Sequence, residues 1–389
     1  TLQTGVLRLQ ALQPLGVRNG HPAELGFVLD GMDGSPAPED VFVLSQEKEE
    51  TMAIKELGVD LAKNVFQLYG IDEQGECVFE RRVRRNGLLG VIAELPACRI
   101  GIEACTGAFY WQRQFEALGH EVRIIAPQYV KPFAARQKND RNDAKAIAMA
   151  LRQPDMRFVP KKTIAQQDIQ SLHRARRRLV NHRTALVSQM RGLLLDRGIA
   201  IGVSITRARQ ALPEIIADLD NELTPLCREV LSTLLEMFRS LDQRVRWFDR
   251  KISEVFRNNE ACRRIAAIPG VGPMTATAIV AAVGDGREFD NGRHMAAWLG
   301  LVPRQHSSGD RRVLLGISKR GDKHIRTMLV HGGRAVVRTA TRKHDPFSRW
   351  VNMLRERRGA ARAIVAVANK NARIIWAMLN NKQEFRHAV

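Results

Sequence analysis

The sequence predicts a mixed α/β domain followed by mainly helical ones, and three observations carry that reading. Short apolar runs separated by turns fill residues 54 to about 152, a heptad repeat runs from 231 to 255, and glycine-punctuated helical stretches occupy 262–389. At 389 residues the chain is long enough for two or three domains with cores of their own. The expected segments are 1–51, a disordered leader; 52–158, the α/β domain; 159–260, coiled-coil helices; and 261–389, a C-terminal domain.

Residues 1–51 stand apart. They hold three basic residues (Arg8, Arg18, Lys48) against eight acidic ones, a net of −5, and are punctuated by "NGHPAE" and "DGSPAPED". Met52 then opens "MAIKELGVDLAKNVFQLYG", which reads as a fresh start. The segment is expected to be disordered, or an upstream translation outside the functional protein.

From residue 54, "IKELGVDL", "NVFQLYGID" and "CVFERRVRR" read as three strands, and "NGLLGVIAEL" as a helix opened by an Asn-Gly turn. "RIGIEAC" is the short apolar run of a buried central strand. An amphipathic helix "GAFYWQRQFEALGH", a strand "EVRIIAP" and a helix "RNDAKAIAMALRQ" follow. A meander of three strands, then alternating helices and strands, is the order of a ribonuclease-H-like fold.

Beyond residue 163 the pattern changes to helices. Leu231, Leu234, Phe238, Leu241, Val245, Phe248, Ile252 and Val255 alternate steps of three and four, the seam of a coiled coil or of a long antiparallel helix pair. Ile169, Leu172, Leu179, Leu186, Met190 and Leu193 fit a similar register, but Arg176 and Arg183 occupy seam positions. The run "HRARRR" at 173–178 is expected to face solvent or an anion. "IAAIPGVGPMTATAIVAAVG" has the shape of a helix-hairpin-helix, whose turn at Gly270 and Gly272 would bring backbone N–H groups to a phosphate.

The formal charge of +20, with −5 on the first 51 residues, leaves +25 on the remainder. Such a body favours a polyanion, because neutralised phosphates release condensed counterions. The five scattered cysteines form no CxxC pair, which argues against a disulfide framework or a zinc knuckle. No apolar run is long enough to span a bilayer and no signal segment opens the chain. A soluble cytoplasmic protein, nucleoid-associated when on DNA, is the expectation.

Four carboxylates carry the chemistry. Asp60 ends the first strand, and Glu103 lies in the central strand, where an unpaired charge is costly. Asp140 and Asp143 are three apart at a helix start and so share a face. Carboxylates converging from separate elements suit two magnesium ions about 4 Å apart, the arrangement used on phosphodiesters. Lys138, Arg141 and Lys145 beside them suit a phosphate backbone.

"GVDLAKN", "GIEACTG" and "KNDRNDAKAIA", followed by "IPGVGPMTATAI" and "LGLVPRQHSSGDRRVLLGISKRGDKHIRTML", resemble the DEDD transposases of bacterial insertion sequences, whose members are guided by a bridge RNA. The likeness spans essentially 54–378. It implies a RuvC-like N-terminal domain, a coiled-coil insertion and a C-terminal serine transposase domain, with the family's acidic positions on Asp60, Glu103, Asp140 and Asp143. It also implies a C-terminal serine nucleophile that becomes joined to DNA. Ser307 and Ser308 match that stretch; Ser308, beside Gly309, is favoured, with Arg311, Arg312, Lys319 and Arg320 as supporting cations. Element-end and target duplex DNA, a structured guide RNA and a homodimer pairing into a tetramer are the implied partners. A metal-dependent junction resolvase or nuclease is the alternative, needing the carboxylates but neither serine nor RNA. A non-catalytic DNA clamp is a third.

Overall fold

The computed structural model describes residues 54–134, 139–309, 311 and 313–385. The expected leader and the candidate phosphate contacts Lys138 and Arg312 lie outside the described residues.

The chain opens with β1 (Glu56–Leu61), β2 (Val65–Ile71) and β3 (Cys77–Arg84), then α1 (Leu88–Ala93), β4 (Arg99–Glu103), α2 (Ala108–Ala117), β5 (Glu121–Ile125), the short α3 (Pro127–Val130) and α4 (Asp140–Leu151). The sheet order is β3-β2-β1-β4-β5. β1, β2 and β3 pair antiparallel, whereas β4 runs parallel to β1 and β5 parallel to β4. This mixed sheet is compatible with the ribonuclease-H-like expectation. Leu57, Val59, Ile100 and Ile102 are fully buried, as central strands covered on both faces require. Phe66 and Trp111 meet edge to face at 5.2 Å in the core beneath α2.

α4 is seated on the opposite face by two glycines. A Cβ added at Gly58 would lie 2.1 Å from the Ala144 carbonyl oxygen, and one at Gly101 would lie 3.0 Å from Ile147 Cγ2. No larger residue allows this backbone approach.

Two long helices follow, α5 (Ile164–Leu195) and α7 (Pro225–Asn258), with α6 (Ile205–Ala217) between them. α5 begins at a capping box, Thr163 and Gln166 exchanging hydrogen bonds. Arg183 pairs with Asp242, and Arg176, one heptad earlier, pairs with Asp249, one heptad later, so the helices run antiparallel within the chain. The arginines at expected seam positions are therefore cross-helix ion partners. The α7 face buried here is Leu231, Leu235, Phe238, Asp242, Val245 and Ile252. Leu234, Leu241, Phe248 and Val255 are only half-buried, because the packed stripe turns toward Leu235 and Asp242.

The remaining elements are α8 (Glu260–Ile265), α9 (Pro273–Val283), α10 (Gly292–Trp298), a hairpin of β6 (Pro303–Gln305) and β7 (Leu314–Ile317), α11 (Lys323–Thr339), α12 (Pro346–Arg358) and α13 (Ala360–Asn380). α9 is buried nearly all round, in keeping with its apolar composition. Its core unites Ile265, Ile279, Leu299, Ile325, Ala372 and Ile375. No helix of the described residues is long and apolar enough to cross a membrane. All five cysteines are free thiols.

Candidate active site

Strand alternation places the carboxylates. Asp60 shares a face with Gly58 and Glu103 with Gly101, and both glycines lie under α4. β1 and β4 are in register through Gly58↔Gly101 and Val59↔Ile102, so Asp60 and Glu103 come at the next step of neighbouring strands. The Arg99 guanidinium, at the start of β4, donates to the Leu151 carbonyl at the end of α4. α4 therefore runs against the strands, and its first turn, with Asp140 and Asp143, lies toward the strand ends that carry Asp60 and Glu103. Asn139 caps that turn, accepting from the Asn142 N–H at 2.7 Å. Asp140 is exposed, whereas Asp60, Glu103 and Asp143 are half-buried.

A thiol reports the field between the first two. Burial pushes the Cys105 thiol up, and the negative charges of Asp60 and Glu103 push it further, against a hydrogen bond from the Ala108 N–H. Both carboxylates thus act on one point at the mouth of β4. Among the described residues no three His, Cys, Asp or Glu side chains are grouped closely enough to hold a metal ion. The donor set nonetheless fits a hard divalent cation: it consists of oxygens, from separate elements, at one end of the sheet.

The neighbouring cations divide. Arg141 Nε donates a bifurcated hydrogen bond to both carboxylate oxygens of Glu80 on β3, each at 2.9 Å, and its guanidinium lies 5.7 Å from the Tyr69 ring centroid. Lys145 lies 5.9 Å from the same ring and is exposed.

The candidate serines lie at the tip of the β6–β7 hairpin. Ser308 and Arg311 form a reciprocal backbone bridge, Ser308 N–H to Arg311 O at 3.3 Å and Arg311 N–H to Ser308 O at 3.2 Å. Between them Gly309 has φ +53°, a left-handed turn conformation that suits glycine. Ser307 Oγ accepts from Gln305 Nε2 at 3.0 Å and from the Val313 N–H at 3.3 Å, so it is committed to holding the loop. Ser308 and Arg311 are exposed, as are Lys319 and Arg320 below them. That base is clamped: a Cβ at Gly321 would lie 1.8 Å from Trp298 O, and Lys319 adopts φ +56°.

The glycine turn before α9 also has a structural partner. Gly270, at φ +85°, faces Gly332 of α11 so closely that a Cβ would lie 2.8 Å from the Gly332 oxygen. Asn371 Nδ2 donates to the Pro269 carbonyl at 2.8 Å. Gly270 is thus half-buried against α11, whereas Gly272 is exposed with open space around it.

Two polar centres escape a reading of the sequence. Asp242, 4% exposed, accepts hydrogen bonds from Arg183, Arg209 and Arg246. Burial pushes its carboxyl up, but the hydrogen bonds from Arg209, Arg183 and Arg246, with the charge of Arg209, outweigh that and hold it below the ordinary value. His173, the first residue of the expected basic face, is buried instead, with Nε2 3.0 Å from Thr277 Oγ1 and its ring 5.8 Å from that of His324.

A family model for "Transposase IS116/IS110/IS902 family" matches residues 262–348, and a DEDD transposase model of the IS110 group matches 57–197. The chain is 45% identical over 346 residues to the transposase for insertion sequence element IS1111A of Coxiella burnetii, covering 89% of this chain and 95% of that one. It is 44% identical over 338 residues to a probable family 20 transposase of Pseudomonas aeruginosa, covering 86% and 99%. A more distant relative, 23% identical over 353 residues and covering 85% and 97%, is the pilin gene-inverting protein of Moraxella bovis. With four carboxylates brought to one end of a mixed sheet and relatives matching along nearly their whole length, the chain belongs to the IS110/IS116 family of insertion-sequence DNA transposases.

Proposed function

We propose that this transposase exchanges DNA strands through a covalent protein–DNA intermediate, with Asp60, Glu103, Asp140 and Asp143 as metal ligands and Ser308 as nucleophile. The observation that supports the reading is that Asp60 on β1, Glu103 on β4 and the first turn of α4, with Asp140 and Asp143, all lie toward the same end of the sheet. Magnesium, as two ions, would offset the negative charge that builds on an attacked phosphate. Ser308 Oγ bonds to phosphorus and gives its proton to solvent; the bond to the departing deoxyribose oxygen breaks, and that oxygen takes up a proton. The phosphodiester count is unchanged, so the reverse attack reseals a new strand without an external energy source. Arg311, Arg312, Lys319 and Arg320 supply charge around the attacked group, and Lys138, Arg141, Lys145 and the Gly270–Gly272 turn contact backbone phosphates. The engagement of Ser307 within the loop supports Ser308 as the free hydroxyl.

Site choice by a bridge RNA rests on the family likeness and on the +25 charge beyond residue 51. Self-association is supported by Leu226, Val230 and Met237, exposed at steps of four and seven along α7, on a different face from the one buried against α5.

The test is to trap the intermediate. Incubation with end-labelled element DNA and magnesium, followed by denaturing electrophoresis, should shift label to the mass of the protein. Ser308→Ala should abolish the shift and strand exchange, and Ser307→Ala should retain both. Full strand exchange by both single variants would rule out the covalent serine step, whereas cleavage by wild type with neither adduct nor strand exchange would favour a plain metal-dependent nuclease.

A further inference from the structure

Beside the serine hairpin lies a cavity of about 1500 Å³. One wall is the hairpin itself, from Pro303 and Leu314 to Ile317; the opposite wall is α13, with Trp350 of α12 and the first turn of α10 contributing to the lining.

Its charge has one sign. The charged residues lining it are Arg293, Arg358, Arg362, Lys370 and Arg373, with no acidic residue among them. None of the five forms an ion pair with a described carboxylate. Arg362, Lys370 and Arg373 fall on one side of α13 at steps of eight and three, a cationic stripe about 16 Å long at 1.5 Å per residue. Cations held this close without counter-charges repel one another, so an anion that fills the cavity is favoured.

The surface between the cations is apolar. Leu314 and Leu315 of β7 are 68% and 46% exposed, and Val365 and Ile374 face them from the α13 wall. Lys370 Nζ stands 4.3 Å from the Trp350 ring centroid, a cation set against an aromatic face. Such a surface needs a ligand with both anionic and apolar parts. Duplex DNA offers phosphates but keeps its bases stacked inside. An unpaired strand offers phosphates and bare base faces together, which is how grooves for single strands are built.

We propose that this cavity binds an unpaired segment of DNA strand, with its phosphates along Arg362, Lys370 and Arg373 and its bases against Leu314, Leu315 and Trp350. The inference rests on the assignment of the chain as a DNA transposase, since strand exchange requires strands out of their duplexes. The hairpin that forms one wall also carries Ser308 at its tip, so a strand held here would enter or leave beside the serine.

The experiment measures binding of fluorescein-labelled oligo(dT) of 12 nucleotides, its duplex with oligo(dA), and oligo(rU) to the full chain by anisotropy at fixed salt. Leu315→Asn removes an exposed apolar contact without adding charge and should weaken oligo(dT) binding about fivefold or more, the low end of what one stacked base contributes, with little effect on the duplex. Trp350→Ala should do the same, and Arg362→Glu should weaken both DNA forms. Melting temperatures check folding, and because Leu315 is exposed its variant remains informative if Trp350→Ala is unstable. Unchanged oligo(dT) affinity in Leu315→Asn overturns the proposal. An equal loss for duplex does so too, as does a stronger, variant-sensitive preference for oligo(rU). A loss of dimer mass with unchanged oligo(dT) affinity would make the cavity a contact between copies and would also overturn it. Wild type that forms no covalent adduct yet shows the variant-sensitive oligo(dT) binding would remove the serine mechanism and leave the groove standing.

Discussion

Arg183 donates a 2.7 Å hydrogen bond to Asp242 across the α5–α7 pair, and Arg209 and Arg246 close on the same carboxylate. This buried carboxylate is costlier to break than to keep, because removing it leaves Arg183, only 17% exposed, without its counter-charge. Asp242→Ala should destabilise the protein by about 3–5 kcal/mol, the range for removing one partner of a buried ion pair. Thermal or urea unfolding of the variant checks it, and a loss under 1 kcal/mol (about the worth of a surface pair) would show the cluster to be dispensable. The sign of the pH effect follows from the depressed carboxyl. Its contribution is fully present above the ordinary unfolded value of about 3.9 and is lost as pH falls through the lower folded value.

The histidine pair acts over a different window. Burial, then the nearby His324 and Arg176, lower His173 to about 4, and burial and Arg177 lower His324. Between the ordinary histidine value of about 6.5 and about 4, the unfolded chain binds a proton that folded His173 does not. Stability contributed by neutral His173 is therefore complete above the unfolded value and declines as pH falls toward the folded one. Wild-type melting temperature should drop from pH 7 to pH 5, and His173→Gln should show a shallower drop over that interval. An identical slope in the variant would assign the effect to other groups.

Gly270 and Gly272 look alike in sequence and should behave oppositely. Gly270→Ala forces a Cβ to 2.8 Å from the Gly332 oxygen at φ +85°, whereas Gly272 has open space and φ −97°. The first should cost about 1–3 kcal/mol, the range for a residue held in a disfavoured backbone region. The second should leave stability within about 1 kcal/mol. Equal melting temperatures for the two variants would mean that the Gly270–Gly332 contact contributes nothing.

These residues show which parts of the molecule could be read from the sequence. β1, β2, β4 and β5 were legible because each is a local apolar run. The placement of Asp60 and Glu103 was legible because both end such runs. The packing of Gly270 was not legible, since its partner Gly332 is 62 positions away. The burial of Asp242 and His173 was hidden for the same reason: their partners Arg183 and Thr277 lie 59 and 104 positions away. The heptad pattern announced a long helix pair but chose Leu234 and Leu241 over Leu235 and Asp242, because hydrophobicity alone does not foresee a buried acid neutralised from three sides. Ser308 had no local signal at all; only the family likeness singled it out.

The seat of α4 offers the sharpest test of the four-carboxylate site. Asp140 and Asp143 reach the strand ends only because Gly58 lets the Ala144 carbonyl come within 2.1 Å of where a Cβ would stand. Gly58→Ala must push α4 off the sheet, a local overpacking that costs about 1–3 kcal/mol and moves its two carboxylates relative to Asp60 and Glu103. Glu103→Gln keeps volume and fold but removes one charge, and should reduce strand exchange on the order of 10²–10³-fold, the scale for losing one electrostatic contributor to a transition state. Assayed together with Asp60→Asn, the three variants should share the loss of strand exchange, while only Gly58→Ala shows a lowered melting temperature. Strand exchange at the wild-type rate in Gly58→Ala, despite a measured loss of stability, would mean that α4 need not be seated for the chemistry, and Asp140 and Asp143 would lose their place beside Asp60 and Glu103.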